Sequence, residues 1–171
     1  ARAYLAGRGI PLSIALKAGV GYLAPTIVSQ LATAGSRSLV RRWSSRMLFP
    51  LTSPHGRGYI GRSLWRWQPG MHEQVHKTLL EQPASPRRWI KTNPAGWFSC
   101  PFDQLASRIV LVEGAFDRLT LLAAGFDPTE VVALVGTSLQ VEWLPPQVKT
   151  IILALDGDQG GAGHQAEPHT D

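Results

Sequence analysis

The stretch Val148–Gly161, VKTIILALDGDQGG, decides how the rest of the chain is read. It opens as an almost unbroken apolar run and ends in two aspartates, Asp156 and Asp158, with Gly157 between them. A short apolar run rich in β-branched residues predicts a strand buried in a sheet, here over Thr150–Leu155. A buried strand that delivers two carboxylates at its tip calls for a reason, and the reason lies upstream.

Two similar runs precede it. Ile109–Val112 ends at Glu113-Gly114, after which Phe116, Leu119, Leu122 and Ala123 recur at helical spacing until Gly125 stops the helix. Val131–Val135 predicts a second strand, followed by the turn Gly136-Thr137-Ser138. Residues 139–147 read as a short helix or loop halted by Pro145-Pro146. Strand, helix, strand, connection, strand is the sequence form of a parallel sheet with crossovers, an α/β fold. Ligands of such sheets bind beyond the carboxyl ends of the strands. Glu113, the Gly136-Thr137 turn and the Asp156/Asp158 pair are therefore expected at one edge. Clustered carboxylates repel unless something positive compensates. A hard divalent cation does this, and Mg²⁺ takes oxygen ligands. Asp-Gly-Asp alone is equally a polar turn; its pairing with Glu113 on a neighbouring strand end is what points to a metal.

The 171 residues suit one domain or two small ones. Residues 1–105 hold 14 Lys and Arg against 3 Asp and Glu, a balance of +11, and residues 106–171 hold 3 against 9, a balance of −6. Five of the six tryptophans lie in the basic part. Basic charge interleaved with flat rings suits a polyanion that offers bases, such as single-stranded nucleic acid, and equally suits ordinary surface charge with tryptophans in the core. No run of 18 apolar residues suggests a membrane span, and residues 1–10 lack the apolar core of a signal peptide. The single Cys100 makes neither an internal disulfide nor a cysteine zinc site. A cytoplasmic protein is expected.

With these motifs in place, the chain resembles a Toprim domain within a bacterial DnaG-type DNA primase catalytic core. LVEGAFDRLTLLAAGF (residues 111–126) and ALDGDQGG (154–161) match the family's strand ending in Glu-Gly and its later Asp-X-Asp strand, and VVALVGTSL resembles the strand and turn between them. Upstream, RMLFPLTSPHGRGYIGRSL (46–64) resembles the primase strand–turn–strand ending in Gly-Arg, and YLAGRGI and RRWIKTNPAGWF are looser matches. The resemblance implies a basic α+β subdomain over 1–105 and a Toprim domain over 106–171. It implies Mg²⁺- or Mn²⁺-dependent nucleotidyl transfer, making RNA primers from ribonucleoside triphosphates on single-stranded DNA. A replicative helicase is an expected partner, and no membrane is. Toprim nuclease and catalytically inactive, truncated DNA-binding remnant are the alternatives. The family's zinc ribbon has no counterpart here, a lysine common before the Toprim part is replaced near Cys100, and a further acidic strand would lie beyond Asp171.

Carried over residue by residue, the resemblance makes Glu113, Asp156 and Asp158 catalytic and metal-binding. Asp117 is a fourth ligand, a helix cap or an ion-pair partner of Arg118. Arg46, Arg62, Arg88 and Lys91 are expected to bind nucleotide or template, as are Gly114 and Gly136 through close backbone approach. Thr137 either contacts a phosphate or caps a helix. Arg41, Arg42 and Arg87 are further expected template contacts, whereas Trp43, Trp65, Trp67 and Trp89 are expected mainly in the core. His72 and His76, four apart in HEQVH, are set aside as a metal pair, because the motif is read as one residue short of His-Glu-x-x-His and off any convincing amphipathic helix; Gln68–Pro86 reads as a polar excursion, a loop with a short helix.

Overall fold

The computed structural model describes residues 1–31 and 37–156. Helices α1 (Arg2–Ala6) and α2 (Leu12–Lys17) open the chain, followed by strand β1 (Gly21–Leu23) and helices α3 (Pro25–Leu31) and α4 (Arg37–Trp43). A hairpin of β2 (Arg46–Ser53) and β3 (Gly56–Ser63) comes next, then α5 (Glu73–Leu80) and β4 (Trp89–Lys91). The last part is β5 (Arg108–Val112), α6 (Ala115–Ala123), β6 (Val131–Ala133) and β7 (Thr150–Ala154).

Two sheets result. The first is antiparallel in the order β1-β2-β3-β4, and the second runs β6-β5-β7 with both pairings parallel. The hairpin follows from strict alternation: Met47, Phe49 and Leu51 on β2 are buried and face the same side as Ile60 and Arg62 on β3. Its turn is closed by Ser53, whose hydroxyl donates to the Gly56 carbonyl at 2.9 Å and accepts from the His55 N–H at 3.2 Å.

Trp97 and Phe98 strap the two sheets together. Trp97 exchanges backbone hydrogen bonds with Thr52 of β2 at 2.8 and 2.9 Å, and Phe98 does the same with Ala133 of β6 at 2.9 and 3.0 Å. Both side chains are fully buried. The Phe49 ring meets Phe98 at 5.5 Å and Phe116 of α6 at 5.2 Å, both edge-on. One apolar core therefore runs from α1 and the first sheet into α6 and the second. This fixes the basic sheet against the end of the parallel one.

Two expectations are corrected. The second strand stops at Ala133 rather than Val135, because Val135 and Gly136 both take positive φ, +48° and +69°. The Thr137 N–H then bonds the Leu134 carbonyl at 3.0 Å, closing a tight turn. β7, expected to be buried, is exposed along its whole length. Among the described residues it pairs on one side only, with β5, and Ile151, Ile152, Leu153 and Leu155 are 36 to 64% exposed. An unpaired apolar edge strand invites pairing with another chain. The purified chain is expected to self-associate as its concentration rises, and Leu153→Lys is expected to reduce this. Sedimentation of the two proteins over a concentration series checks it; identical behaviour would contradict it.

Candidate active site

The parallel sheet positions the acidic residues. Val112 and Ala154 are register partners, so Glu113 and Asp156 follow one and two residues later on adjacent strands. Parallel neighbours lie about 4.8 Å apart, so both carboxylates emerge at one sheet edge, and both are exposed. Asp158 lies outside the described residues. Among the described residues, no group of three or more His, Cys, Asp and Glu side chains is gathered to hold a metal ion.

Glu113 opens onto a cleft of about 370 Å³ lined by Ile60, Trp89, Lys91, Glu113, Gly114, Ala115, Val135 and Gly136. One wall comes from β3 and β4 of the basic sheet and the other from the ends of β5 and β6. The Lys91 ammonium donates to the Thr137 hydroxyl at 3.1 Å and so spans the two. Burial lowers the Lys91 pKa from its ordinary value. The turn after β6 is tied to the carboxylate residue itself, because the Val135 N–H bonds the Glu113 carbonyl at 2.8 Å. A β-branched residue at positive φ is a genuine outlier, costing on the order of 1–3 kcal/mol, and such strain clusters at functional sites.

Asp117 is turned back onto its own helix. Its carboxylate accepts the Gly114 N–H at 2.8 Å and so caps the start of α6. A Cβ at position 114 would stand 2.6 Å from that same Oδ2, so glycine is what lets the cap form. Sequence reading left ligand and cap open for Asp117; this contact supplies the cap.

The remaining expected site residues are not in the cleft. Arg46 is 2% exposed and donates from Nε to the Arg42 carbonyl at 3.0 Å and from Nη1 to the Gly61 and Arg88 carbonyls at 3.2 and 3.4 Å. Burial first, then the charges of Arg42 and Arg62, lower its pKa to about 10, which leaves it charged at neutral pH. Arg62 is 1% exposed and lies 5.5 Å from the centre of the Trp89 ring, behind the cleft wall. Its Nη2 bonds Tyr4 Oη at 3.2 Å and pairs with Glu73. Arg88 also binds Glu73, at 2.9 Å. A separate groove of about 570 Å³ is lined by Arg41, Arg42, Arg46, Arg87 and Trp65 among others.

Glu73 is the residue that sequence reading missed, and it lies in the segment set aside. HEQVH does have the full His-Glu-x-x-His spacing, and it does begin a helix, α5. The histidines are nonetheless used otherwise. His72 Nδ1 accepts the Gln74 N–H at 3.1 Å as the helix cap. His76 is fully buried with Nε2 at 3.2 Å from the Trp65 carbonyl. Burial and then the Arg62 charge lower the His76 pKa, against the opposing effects of Glu73 and that carbonyl. An imidazole held neutral in the fold stabilises it above the unfolded-state pKa of about 6.5, and this is lost as pH falls below that value. Thermal stability is expected to drop between about pH 7.5 and 5.5, and His76→Gln, whose amide still reaches Trp65, is expected to flatten the drop. Melting curves at the two pH values decide it; an equal drop in both proteins would contradict it.

Residues 110–167 match the model of a family described as Toprim-like. That span holds β5, Glu113, α6, β6, β7 and Asp156. The whole fold is similar to the solved structure of the DnaG catalytic core, with a TM-score of 0.64 and 19% identity over 94% of this chain and 55% of that one. The chain thus has a DnaG-type Toprim fold and spans about half the length of that solved structure. No curated protein matches it. No helix among the described residues is long and apolar enough to cross a membrane.

Proposed function

We propose that the chain is the polymerising core of a DNA primase, joining ribonucleotides on a single-stranded DNA template in a Mg²⁺- or Mn²⁺-dependent reaction. The observation that supports this best is the pairing of Glu113 and Asp156 on adjacent strand ends, with Glu113 and Lys91 lining one cleft. The donor set suits the ion: Mg²⁺ is usually held by one or two carboxylates together with substrate phosphates and waters. Glu113 and Asp156 would hold it, with Asp158 as the third proposed ligand. When bound, it would offset charge on the triphosphate and make the 3′-hydroxyl easier to deprotonate.

The chain's own groups have separate parts. The Glu113 carboxylate accepts the 3′-hydroxyl proton. Lys91, steadied by Thr137, meets a nucleotide phosphate as a point charge. Trp89 and Ile60 form an apolar wall that keeps water from the reacting phosphate. Val135 and Gly136 shape the opposite rim, and Asp117 holds the Glu113-Gly114 turn in place. Arg46 and Arg62 act from beneath the surface, as fixed positive charge rather than by direct contact. The template lies along the basic first part. The setting is cytoplasmic and the natural partner is a replicative helicase.

The test is labelled ribonucleotide incorporation on single-stranded DNA by the longest product of the reading frame that contains this chain, with Mg²⁺, with Mn²⁺ and with chelator. Metal-dependent incorporation supports the proposal. Metal-dependent cutting of DNA without incorporation would replace it with a nuclease, and salt-sensitive binding alone would replace it with a non-catalytic DNA-binding protein.

A further inference from the structure

Away from the cleft, Glu73 is the single carboxylate among three arginines. Arg8 lies 3.5 Å from it, Arg88 2.9 Å, and Arg62 is in direct contact, while the Tyr4 hydroxyl donates to it at 3.2 Å. Three guanidiniums against one carboxylate leave a local excess of two positive charges. The pairing is also incomplete in hydrogen bonds. Nε and Nη1 of the buried Arg62 and Nε of Arg88 have no partner among the described residues. These donors do not line the neighbouring pocket, so Arg62 and Arg88 act on it as positive field rather than by contact.

The cluster borders a pocket of about 470 Å³ whose lining includes Tyr4, Arg8, Trp67, Gly70, Met71 and Glu73. Arg8 is the arginine that faces it, with its side chain 34% exposed. Its guanidinium is held in place over the rings of Phe116 at 4.4 Å and Tyr4 at 5.1 Å. Trp67 stands edge-on to Tyr4 at 5.1 Å and contributes an aromatic surface to the same pocket. A charge excess of two, one preset guanidinium and an aromatic wall describe a particular kind of ligand. A phosphate monoester carries a charge of about −1.5 to −2 at neutral pH and has three acceptor oxygens. A base attached to it finds a stacking surface in the tryptophan.

We propose that this pocket binds a nucleoside monophosphate group, its phosphate on Arg8 and its base against Trp67. Arg62 and Arg88 supply field from behind Glu73, and Glu73 keeps the guanidiniums apart and oriented. The group comes either from a free mononucleotide or from the phosphorylated 5′ end of a strand. The site uses none of the metal-binding carboxylates and does not depend on the polymerase reading.

Calorimetric titration of the chain with adenosine 5′-monophosphate, in chelator so that no divalent ion occupies the Glu113 cleft, tests it. Saturable binding is expected, with adenosine and Arg8→Gln each weaker by about ten-fold or more, the loss of a charge-assisted contact. Arg8→Lys is expected to recover part of the affinity and Glu113→Gln to leave it unchanged. Competition by 5′-phosphorylated and 5′-hydroxyl oligonucleotides assigns the source. A phosphorylated end that outcompetes the mononucleotide points to strand ends, failure of both oligonucleotides to compete points to the free nucleotide, and equal displacement by both overturns recognition of a terminal phosphate. Absence of binding by the folded chain, equal affinity for adenosine, or unchanged binding by Arg8→Gln overturns the site. None of these outcomes bears on ribonucleotide incorporation, which is measured with metal.

Discussion

Glu113→Gln is expected to reduce ribonucleotide incorporation by about 10²–10⁴-fold, the usual cost of losing one well-placed catalytic group, while leaving affinity for single-stranded DNA unchanged. The substitution is close to isosteric. Position 113 is exposed, and the backbone contact that ties it to the neighbouring turn is made by its carbonyl, not its side chain. The fold should therefore survive, as an unchanged melting temperature would show. What is lost is negative charge at the point where β5 and β7 bring two carboxylates together. On the proposed mechanism, a neutral amide there would leave Asp156 to hold a divalent ion with one carboxylate fewer, and the 3′-hydroxyl would lose its proton acceptor. Near wild-type incorporation by Glu113→Gln would sink the mechanism. A parallel loss of DNA binding would show that the acidic edge and the template surface are not separate.

The acidic edge was legible in sequence because each of its parts is local. A strand ending in Glu-Gly, a helix stopped by Gly125 and a strand ending at Asp156 each lie within a few residues, and parallel topology does the rest. The basic part was legible as charge but not as position. Arg46 and Arg62 have the residue type and spacing of phosphate contacts, yet both sit on a sheet whose two faces are covered. Trp89 and the hairpin leave Arg62 1% exposed. Nothing in a run of arginines tells which of them lie under an aromatic ring. Glu73 was invisible for the opposite reason. Its segment reads as a polar loop with a short helix, and its importance comes from Arg8, Arg62 and Arg88, which lie 65, 11 and 15 residues away in the chain. Val135 was hidden inside an apolar run, because sequence periodicity carries no sign of φ. The exposure of β7 is likewise a fact about its neighbours: an apolar run does not say whether other elements cover the two faces of the strand it forms.

Binding of single-stranded DNA is expected to weaken about fifty-fold between 50 and 200 mM salt. The formal balance of +11 over residues 1–105 would suggest more, but the structure removes candidates. Arg46 and Arg62 are internal, Arg88 is engaged by Glu73, and Arg8 lines the separate pocket beside Trp67. The exposed cations that remain near one groove are Arg41, Arg42 and Arg87 on its lining and Arg66, whose guanidinium lies 4.3 Å over the Trp65 ring in the same groove. Each phosphate neutralised on a single strand releases counterions with a slope of about −0.7 in log affinity against log salt. Four contacts therefore give a slope near −2.8, which is about fifty-fold across a four-fold change in salt. Replacing Arg41, Arg42 and Arg87 together by glutamine is expected to reduce the slope by about 2, whereas Glu113→Gln leaves it unchanged. Fluorescence anisotropy of a labelled oligonucleotide across a salt series measures both. A flat salt dependence would remove the basic part as the template surface. An undiminished slope in the triple variant would move that surface away from this groove and onto the remaining exposed cations.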